Sequence, residues 1–489
     1  MDTHDCDVVV VGHGIAGLAA AVSALEAAAS VAVLERAPRE EAGGNTRWTE
    51  AFMRMKSPEA VADDFESHFA ANAGAYLDPS LVAETARDYA AWPGIVKSHG
   101  FTDPELVGTL AAQAPPTLGW LQSLGIGFSP MATYLLTQST TRIMPAGGGL
   151  QLVETLTAEA ERRGAALHYE TTARALLADA EGRPAGIRAT RAGGATLAFR
   201  ARAVVLACGG FEGNPEMLAR YVGPRARHIR PVARGGYYNK GEGIAMGLAA
   251  GAAPAGDFTE FHAEPIDPRS GVPEPIVFCF PYGILVNALG ERFVDEASRT
   301  VDAVYEAITR RINEQPQGIA WCLLDQRIED VTGWRRSVRT DQPPVTAATL
   351  EDLAAQTGLP PEALRRTVAA YNAACRPGDF RPFELDGLGT HGLSPPKSNW
   401  ARPIAAAPFL AYPITCANCF TFGGLKTDAR ARPRAAGATA PRPAGSRSPA
   451  SGCSGSSRST AGNRPQRRRD RPRSGSPAIA GRPAPRAAW

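Results

Sequence analysis

The segment that decides the fold runs from Asp7 to Arg36. It reads DVVVVGHGIAG over residues 7–17, then an alanine- and leucine-rich stretch, then SVAVLER over residues 30–36. The two apolar runs are typical of buried strands, and the stretch between them is typical of a helix with few polar positions. A strand, a glycine turn, a helix, a second strand and an acid at its end form the βαβ unit that binds a dinucleotide.

Each small residue of this turn has a physical role in that interpretation. Gly12 permits the tight turn, Gly14 lets the backbone approach a pyrophosphate, and Gly17 lets the helix pack closely on the sheet. The helix then begins at Ile15 and Ala16, where free N–H groups and the positive end of the helix dipole favour phosphate. A glycine-rich turn without a ligand is the alternative.

The residues after the second strand suggest how the rest of a nucleotide would be held. Glu35 lies where a carboxylate accepts hydrogen bonds from ribose hydroxyls, and Arg36 follows it directly. A second glycine-rich segment, GGNTRW, occupies residues 43–48. Its glycines allow close backbone approach, and its polar side chains can bond to a long polar ligand. The candidate ligand residues of this segment are Gly43, Gly44, Asn45 and Thr46.

These motifs resemble those of the FAD-dependent flavoprotein family of fumarate reductase and succinate dehydrogenase. Within that family the chain looks most like the tricarballylate dehydrogenases. In the family, the glycine-rich segment lies along the ribityl and phosphate portion of the flavin cofactor. The resemblance therefore implies FAD rather than NAD, and it extends from residue 7 to about residue 428.

Two later segments add to the implied cofactor site. The sequence AVVLACGGF over residues 203–211 is an apolar strand that ends in a turn of small residues. It resembles the family's returning strand beside the cofactor, with Cys208 in place of the usual threonine. The resemblance also places backbone near Ala173 against the adenine, although a plain hairpin fits that part of the sequence equally well. The contacts implied here are Ala173, Ala207, Cys208, Gly209 and Gly210.

The pattern predicts an α/β fold, with a Rossmann-like FAD-binding domain, an inserted α+β capping domain and a disordered C-terminal tail. We expect the FAD-binding domain over residues 1–257, the capping or substrate domain over 258–420, a return to the FAD-binding domain over 421–428 and the tail over 429–489. In the cap we expect strands at 283–287 and 320–324 and amphipathic helices at 303–313, 350–357 and 361–374.

The resemblance suggests two catalytic residues in the cap. A flavin exchanges hydride, so the protein must hold a substrate C–H group against it and exchange a proton. His262, within EFHAEP, resembles the family histidine that binds a substrate carboxylate, and a structural histidine is the alternative. Arg299 resembles the family's proton-transferring arginine, but it follows Glu296 one residue earlier than the family pattern predicts. A surface arginine paired with Glu296 is the alternative.

Two departures from the family pattern bear on the chemistry. The sequence PIVF at residues 275–278 replaces an expected acid–arginine pair, which weakens the assignment of Arg299. Phe420 stands where fumarate reductases commonly have a substrate-binding histidine, which argues against fumarate itself. The resemblance implies dehydrogenation or desaturation of a CH–CH bond in a small carboxylate such as tricarballylate, with a separate iron–sulfur protein as electron partner. A ketosteroid-type desaturase and a non-catalytic flavoprotein remnant are the alternatives.

The resemblance stops after Asp428. Residues 429–489 hold 14 Arg, no Lys and one acid among mostly Pro, Ala, Gly and Ser, so they lack the apolar surface needed for a core. Our preferred hypothesis is a reading-frame change that removes the last strand and helix of the FAD-binding domain and so weakens FAD binding and activity. A natural linker and a nucleic-acid tail are alternatives. Because Trp489 is the tail's only aromatic residue, we expect no nucleic-acid partner.

Composition indicates that the rest of the chain is an ordinary acidic protein. Residues 1–428 hold 38 basic and 48 acidic residues, a net charge of −10. The eight cysteines show no disulfide framework, and the isolated pair Cys416 and Cys419 is read as two ordinary thiols, so we expect no metal site. No apolar segment is long enough to span a bilayer, and acidic residues occupy the region where a secretory signal is basic. We therefore expect a cytoplasmic location.

Overall fold

A computed structural model describes residues 2–65, 79–98, 101–131, 135, 137 and 141–435. Its strands are β1 (Asp2–Val11), β2 (Val31–Leu34), β3 (Met55–Ser57), β4 (Ala60–Val61), β5 (Phe128–Pro130), β6 (Ile143–Pro145), β7 (Ala166–His168), β8 (Thr171–Ala178), β9 (Pro184–Arg191), β10 (Thr196–Leu206), β11 (Arg230–Pro231), β12 (Pro254–Ala255), β13 (Phe261–Ile266), β14 (Ile284–Asn287), β15 (Ile319–Asp325), β16 (Val345–Ala347), β17 (Phe409–Thr421) and β18 (Gly424–Leu425). Its α-helices are α1 (Ile15–Glu26), α2 (Pro79–Glu84), α3 (Gly94–Ser98), α4 (Pro104–Ser123), α5 (Gly148–Arg162), α6 (Pro215–Tyr221), α7 (Arg234–Tyr238), α8 (Glu242–Ala249), α9 (Val301–Asn313), α10 (Leu350–Thr357) and α11 (Pro361–Ala374).

The first sheet has six strands in the order β7-β2-β1-β10-β9-β8. β1 lies between β2 and β10 and is parallel to both, with Val9 opposite Ala32 on one side and Val204 on the other. β9 and β8 extend the sheet as an antiparallel pair. Helix α1 connects β1 to β2, so the predicted βαβ unit is confirmed. The carboxyl ends of the parallel strands meet at one edge, where open α/β sheets bind ligands.

The valine run of β1 is buried on both faces, as its sequence predicts. Val9 and Val11 pack in one core with Phe199 of β10 and with residues of β8 and β9. Val10 points to the opposite face and packs with Ala21 of α1. Successive side chains of a strand alternate between faces, so a continuous apolar run is required where helices or strands cover both.

The second sheet is organised on β17, a 13-residue strand. The first half of β17 pairs with β15 and β16, and its second half pairs with β13 and β11. β14 extends the sheet beyond β15. The sequence did not indicate β17 as a strand, although it predicted β14 and β15.

Helices cover both faces of this second sheet. Ile284 and Val286 of β14 pack in the core that includes α10 and α11. Leu285 points the other way, into the core formed with α9. The three predicted cap helices are observed, at Val301–Asn313, Leu350–Thr357 and Pro361–Ala374. The α/β fold with an inserted α+β part is therefore confirmed, and the domain boundaries within it remain a prediction.

Two segments that are distant in the chain lie side by side, one at the start of β13 and one at the end of β17. Phe261 at the start of β13 pairs with Thr421 at the end of β17, and the N–H of Phe422 donates to the carbonyl of Glu260 at 3.1 Å. Beyond them, β12 and β18 form a short antiparallel pair. The segment before β13 and the segment after β17, which are distant in the chain, are thus held together by backbone hydrogen bonds.

The chain continues past the predicted end of the folded part. The N–H of Ala253 donates to the carbonyl of Arg434 at 2.8 Å, and Ala252 forms a β-bridge with Ala435. Residues 429–435 therefore pack against the segment before β12, whereas the sequence places the start of the tail at Ala429. The remainder of the predicted tail, residues 436–489, lies outside the described residues.

Membrane and cysteine features are simple in the described part of the chain. No helix there is both long and apolar enough to cross a bilayer. Seven cysteines lie in the described ranges, and all are free thiols. Cys416 and Cys419 both lie on β17, three residues apart, so their side chains point to opposite faces of the sheet.

The glycine turn allows a test of the packing between α1 and β1. A Cβ added at Gly17 would lie 2.0 Å from the carbonyl oxygen of Gly12, so we expect Gly17→Ala to destabilise the protein by about 1–3 kcal/mol. Gly108, in α4, has no atom within 4 Å of the added Cβ, so Gly108→Ala should stabilise by roughly 0.5–1 kcal/mol. The measurement is the urea midpoint of each variant. Equal shifts in the same direction would contradict the packing argument.

Candidate active site

A cavity of about 330 Å³ opens at the carboxyl ends of the parallel strands of the first sheet. The structure brings nearly all the predicted cofactor residues to its wall, although they come from five separate segments of the chain. They are Gly12, Gly14, Ile15, Ala16, Glu35, Arg36, Gly44, Asn45, Thr46, Ala173, Ala207, Cys208, Gly209 and Gly210. Gly17 and Gly43 do not line the cavity.

Those two glycines shape the backbone beside the cavity instead. Gly17 faces the carbonyl of Gly12, as described above, and keeps α1 close to the turn. Gly43 has φ = +125° and stands directly before the 3₁₀ turn Gly44–Trp48. A side chain is strained at that φ, so Gly43 sets the path of the second glycine segment.

The turn after β1 lies directly against the end of β10. Gly12 has φ = +108°, and a Cβ there would lie 2.3 Å from the carbonyl oxygen of Ala207. At Gly14 the nearest atoms would be 3.5 Å away, so the cavity side of this residue is open. The backbone can therefore meet a ligand closely at Gly14, as the sequence predicts.

Glu35 is buried, and its carboxylate accepts from one backbone N–H in the glycine turn and from another just after β2. One carboxylate oxygen accepts from the N–H of His13 at 3.0 Å, and the other accepts from the N–H of Ala37 at 2.7 Å. Burial raises the pKa of Glu35, and the two N–H donors act in the opposite direction. Because each oxygen keeps a lone pair, the carboxylate can still accept from a ribose hydroxyl.

Arg36 has protein partners as well as a place on the cavity wall. Its guanidinium forms an ion pair with Glu242 of α8 and donates to the carbonyl of Tyr238 at 2.9 Å. These contacts tie the end of β2 to the helices that follow β10. Arg36 is thus a structural tie within the predicted site.

His13 lines the cavity, and the sequence did not single it out. Its side chain lies 3.3 Å from the hydroxyl of Thr157 and 3.4 Å from that of Tyr169, through Nε2. Burial lowers the pKa of His13 to about 4, helped by Arg39 and Arg47. The imidazole is therefore neutral at physiological pH and offers hydrogen bonds rather than charge.

The second glycine segment joins the cavity to β17. The amide nitrogen of Asn45 donates to the carbonyl of Cys419 at 2.8 Å and lies 3.3 Å from a carboxylate oxygen of Glu212. The amide oxygen of Asn45 is buried without a hydrogen-bond partner. The hydroxyl of Thr46 accepts from the N–H of Ile15 at 3.1 Å and so holds the start of α1.

Cys208 packs as a neutral thiol at the end of the returning strand. A Cβ at Gly243 would lie 2.3 Å from its sulfur, so the thiol fills the space that this glycine leaves. Burial raises the pKa of Cys208 to about 11, which keeps the group protonated. A small side chain is therefore needed here, as the sequence comparison with threonine implies.

The cavity fits a long ligand with many hydrogen-bonding groups, such as FAD. Its wall combines glycine backbone, the start of α1 and three buried polar atoms that lack protein partners. Those atoms are His13 Nδ1, Asn45 Oδ1 and Glu212 Oε2. Buried polar groups are normally satisfied, so three unmet ones around a single cavity favour a ligand that supplies their partners.

A second cluster lies beyond Phe420, which lines the cavity. The Phe420 ring is 5.0 Å from the ring of His262, and the hydroxyl of Tyr305 is 2.8 Å from Nε2 of that histidine. His262 also lies 3.7 Å from the carboxylate of Glu264. The predicted histidine is therefore next to the cofactor cavity, and its partner Tyr305 was missed by the sequence analysis.

Behind His262, carboxyl groups share one arginine. Arg339 lies 2.8 Å from Glu50 and 3.4 Å from Glu274. Burial raises the pKa of Glu264, and Arg339 acts in the opposite direction. Burial also raises the pKa of Glu274, and the neighbouring Glu264 adds to that effect. This acid–arginine group comes from three distant segments, so it was not visible in the sequence.

Arg299 lies directly before the N-cap of α9, the helix that carries Tyr305, and is half-buried. Glu296, its suggested partner, is buried and forms its ion pairs with Arg292 at 2.7 Å and Lys397 at 3.9 Å. The catalytic roles of Arg299 and His262 remain predictions.

One group in the described part of the chain could offer metal ligands. Atoms of His262, Glu264 and Cys419 all lie within 4.8 Å of one another. Ligands of a tetrahedral zinc ion lie about 3.5 Å apart, and Tyr305 already contacts Nε2 of His262. We therefore describe the group as a hydrogen-bonded cluster and assign no metal to it.

Comparison with known proteins agrees with this geometry. Residues 7–441 match the sequence family described as FAD binding domain. An NADH:acrylate oxidoreductase of Vibrio harveyi is 28% identical over 87% of this chain, which spans 45% of the length of that relative. The fumarate reductase (cytochrome) of Shewanella frigidimarina is 26% identical over 88% of this chain and 69% of its own length.

A solved structure has the same arrangement. The 3-ketosteroid-Δ4-(5α)-dehydrogenase of Rhodococcus jostii RHA1, in complex with 4-androstene-3,17-dione, superimposes with a TM-score of 0.58. It is 25% identical in sequence, and the match covers 88% of each chain.

The bonds of Asn45 lead to a prediction about FAD binding. In Asn45→Asp, a carboxylate would face Glu212 and the donor to the carbonyl of Cys419 would be lost. We expect the Kd for FAD to rise by about tenfold or more, which corresponds to about 1.4 kcal/mol. The control is Asn214→Asp, which keeps the N-cap acceptor of α6 outside the cavity. Titration of the apoprotein with FAD measures both, and an unchanged Kd for Asn45→Asp would refute the argument.

Proposed function

Because the chain belongs to the FAD-binding domain family of flavin-dependent reductases and dehydrogenases, we propose that it interconverts CH–CH and C=C bonds of a small carboxylate substrate. The observation that carries this proposal is the contact of Phe420 with both the cofactor cavity and His262. Polar groups able to hold a carboxylate are thereby next to the place where a flavin would bind.

FAD, when bound, supplies the hydride chemistry of this reaction. His262 hydrogen-bonds an oxygen of the substrate carboxylate, and the hydroxyl of Tyr305 fixes the imidazole at 2.8 Å. Arg299 exchanges the proton at the second substrate carbon. Its place before α9, six residues before Tyr305, supports this role. Phe420 and Phe278, whose ring is 5.0 Å from that of Tyr305, exclude water from the reacting atoms.

The finer assignment rests on the resemblance of the sequence to tricarballylate dehydrogenases. We propose a tricarballylate-like acid as the substrate and a separate iron–sulfur protein as the electron partner. Two relatives are named for activity on acrylate and fumarate, which supports an unsaturated or saturated small acid in general. Of the catalytic residues of that family, we assign only the arginine and the histidine to this chain, as Arg299 and His262.

A steroid desaturase is the second candidate. The aromatic rings around His262, namely Phe278, Tyr305 and Phe420, provide an apolar wall that suits a larger ring system. The superposition with a ketosteroid dehydrogenase covers most of both chains. A small acid needs cationic clamps, and a steroid needs apolar area, so the two substrates differ sharply in what they would contact.

The purified, FAD-loaded chain can be tested directly. Tricarballylate, succinate and 4-androstene-3,17-dione are each added under anaerobic conditions, and only a compound of the right substrate class should bleach the flavin absorbance. Bleaching by an acid supports the proposal, and bleaching by the steroid alone favours the second candidate. A protein that binds FAD and reacts with none of these, nor reduces fumarate or acrylate with an artificial donor, would refute the proposed function.

Substitutions of the two predicted catalytic residues should change different kinetic constants. Arg299→Gln should lower kcat by about 10²-fold or more with KM little changed, because it removes only the proton exchange. His262→Asn should raise KM by about tenfold or more, because it removes a carboxylate contact. The control is Arg311→Gln, an exposed residue at the far end of α9 that pairs with Glu314. Normal kcat in Arg299→Gln would remove this residue from the mechanism.

Glu264 gives the reaction a pH dependence. Its raised pKa means that the carboxyl next to His262 stays protonated above the ordinary range of about 4.3, and loses its proton as the pH rises further. The resulting negative charge opposes a carboxylate substrate, so KM should increase with pH. In Glu264→Gln this increase should be absent, whereas the exposed control Glu314→Gln should retain it. Identical pH profiles of KM would contradict the assignment.

A further inference from the structure

Glu212 occupies the junction of three segments around the cofactor cavity. It follows the small-residue turn after β10, and one carboxylate oxygen lies 3.3 Å from the amide nitrogen of Asn45. Asn239 and the backbone of Thr421 also act on this carboxyl group and lower its pKa. The second glycine segment, the segment before α8 and the end of β17 thus meet at one side chain.

The other carboxylate oxygen of Glu212 has no protein partner. The residue is 1% exposed, and its Oε2 is buried without a hydrogen bond. Glu212 is one of the residues that line the cavity, together with Asn45, which it contacts, and Phe420. A carboxyl group that only tied the segments together would leave no oxygen unsatisfied in such a place.

We propose that Glu212 positions the flavin end of FAD by a direct hydrogen bond from its protonated carboxyl group. The end is assigned by Phe420, which lies on the cavity wall and contacts His262 in the substrate cluster. The proposal needs only that FAD binds, so it is independent of the substrate. Neither the sequence motifs nor the implied family contacts include this residue.

The surrounding charges agree with a neutral carboxyl group. Burial raises the pKa of Glu212 to about 7, against the hydrogen bonds from Asn239, the Thr421 backbone and Asn45. Charged groups on the cavity wall and in the segment before α8 are already paired or bonded. Arg36 pairs with Glu242, the ammonium of Lys240 donates to the carbonyl of Gly213, and Glu35 accepts from two backbone N–H groups.

A carboxyl group in this position couples flavin reduction to proton uptake. Reduction places negative charge on the flavin, and a like charge nearby raises the pKa of a carboxyl group. Above neutral pH the reduced holoprotein should therefore take up one more proton, at Glu212, than a variant without this carboxyl. That extra proton changes the two-electron reduction equilibrium tenfold per pH unit, which is about 30 mV.

The test is the midpoint potential of the bound flavin as a function of pH. Above neutral pH, we expect the wild-type midpoint potential to fall by about 30 mV more per pH unit than that of Glu212→Gln, which is the tenfold change in the reduction equilibrium. On the acidic side the two slopes should coincide. The control is Glu216→Gln, an exposed glutamate in the first turn of α6 that pairs with Arg220. Equal slopes for wild type and Glu212→Gln across the whole range would overturn the proposal.

A second measurement covers the case in which Glu212→Gln does not fold. The infrared band of a protonated buried carboxyl group should shift when FAD is added to wild-type apoprotein on the acidic side of neutrality. The same difference spectrum for Glu212→Asp should show a displaced or missing band, because the shorter side chain cannot reach the same atom. Absence of any carboxyl shift in the wild type on FAD binding would overturn the direct contact.

Discussion

The whole arrangement depends on the close approach of two backbone segments at the edge of the first sheet. The turn at Gly12 lies so near the end of β10 that an added Cβ would be 2.3 Å from the oxygen of Ala207. The start of α1 is packed as tightly against the same turn, at Gly17. These two contacts leave polar backbone facing a cavity and not covered by side chains, which is the condition for gripping a pyrophosphate.

One strand then connects this cavity to the cluster around His262, the proposed substrate site. β17 accepts a hydrogen bond from Asn45 at the carbonyl of Cys419, presents Phe420 to both sites, and accepts from the N–H of Phe211 at the hydroxyl of Thr421. β17 therefore contributes Phe420 to the wall of the cavity, and the same ring contacts His262 in the proposed substrate cluster. Backbone pairing in the second sheet holds β17 in place, and the side chains of Asn45 and Thr421 join it to the segments around the cavity.

Local pattern explains what the sequence could predict. The valine run of β1, the helix after it and the cap helices α10 and α11 follow from apolar periodicity, which needs no knowledge of the fold. β17 was missed because it mixes Pro413, Cys416 and Asn418 into an irregular apolar run, and its partners are far away in the chain. The same distance hid the group of Glu50, Glu274 and Arg339, and the contact between Tyr305 and His262. Glu212 could have been noticed as an acid two residues after the glycine pair 209–210, but only the structure shows that it lines the cavity.

The pairing of Phe261 with Thr421 has a consequence for how such a protein can be built. The stretch between these two residues begins and ends at paired positions, so its ends are as close as those of a hairpin. The entropic cost of closing a loop grows only slowly with its length, so a longer or shorter stretch between the paired ends changes this cost little. We therefore expect that changes in the length of this stretch would leave the nucleotide turn at Gly12 in place.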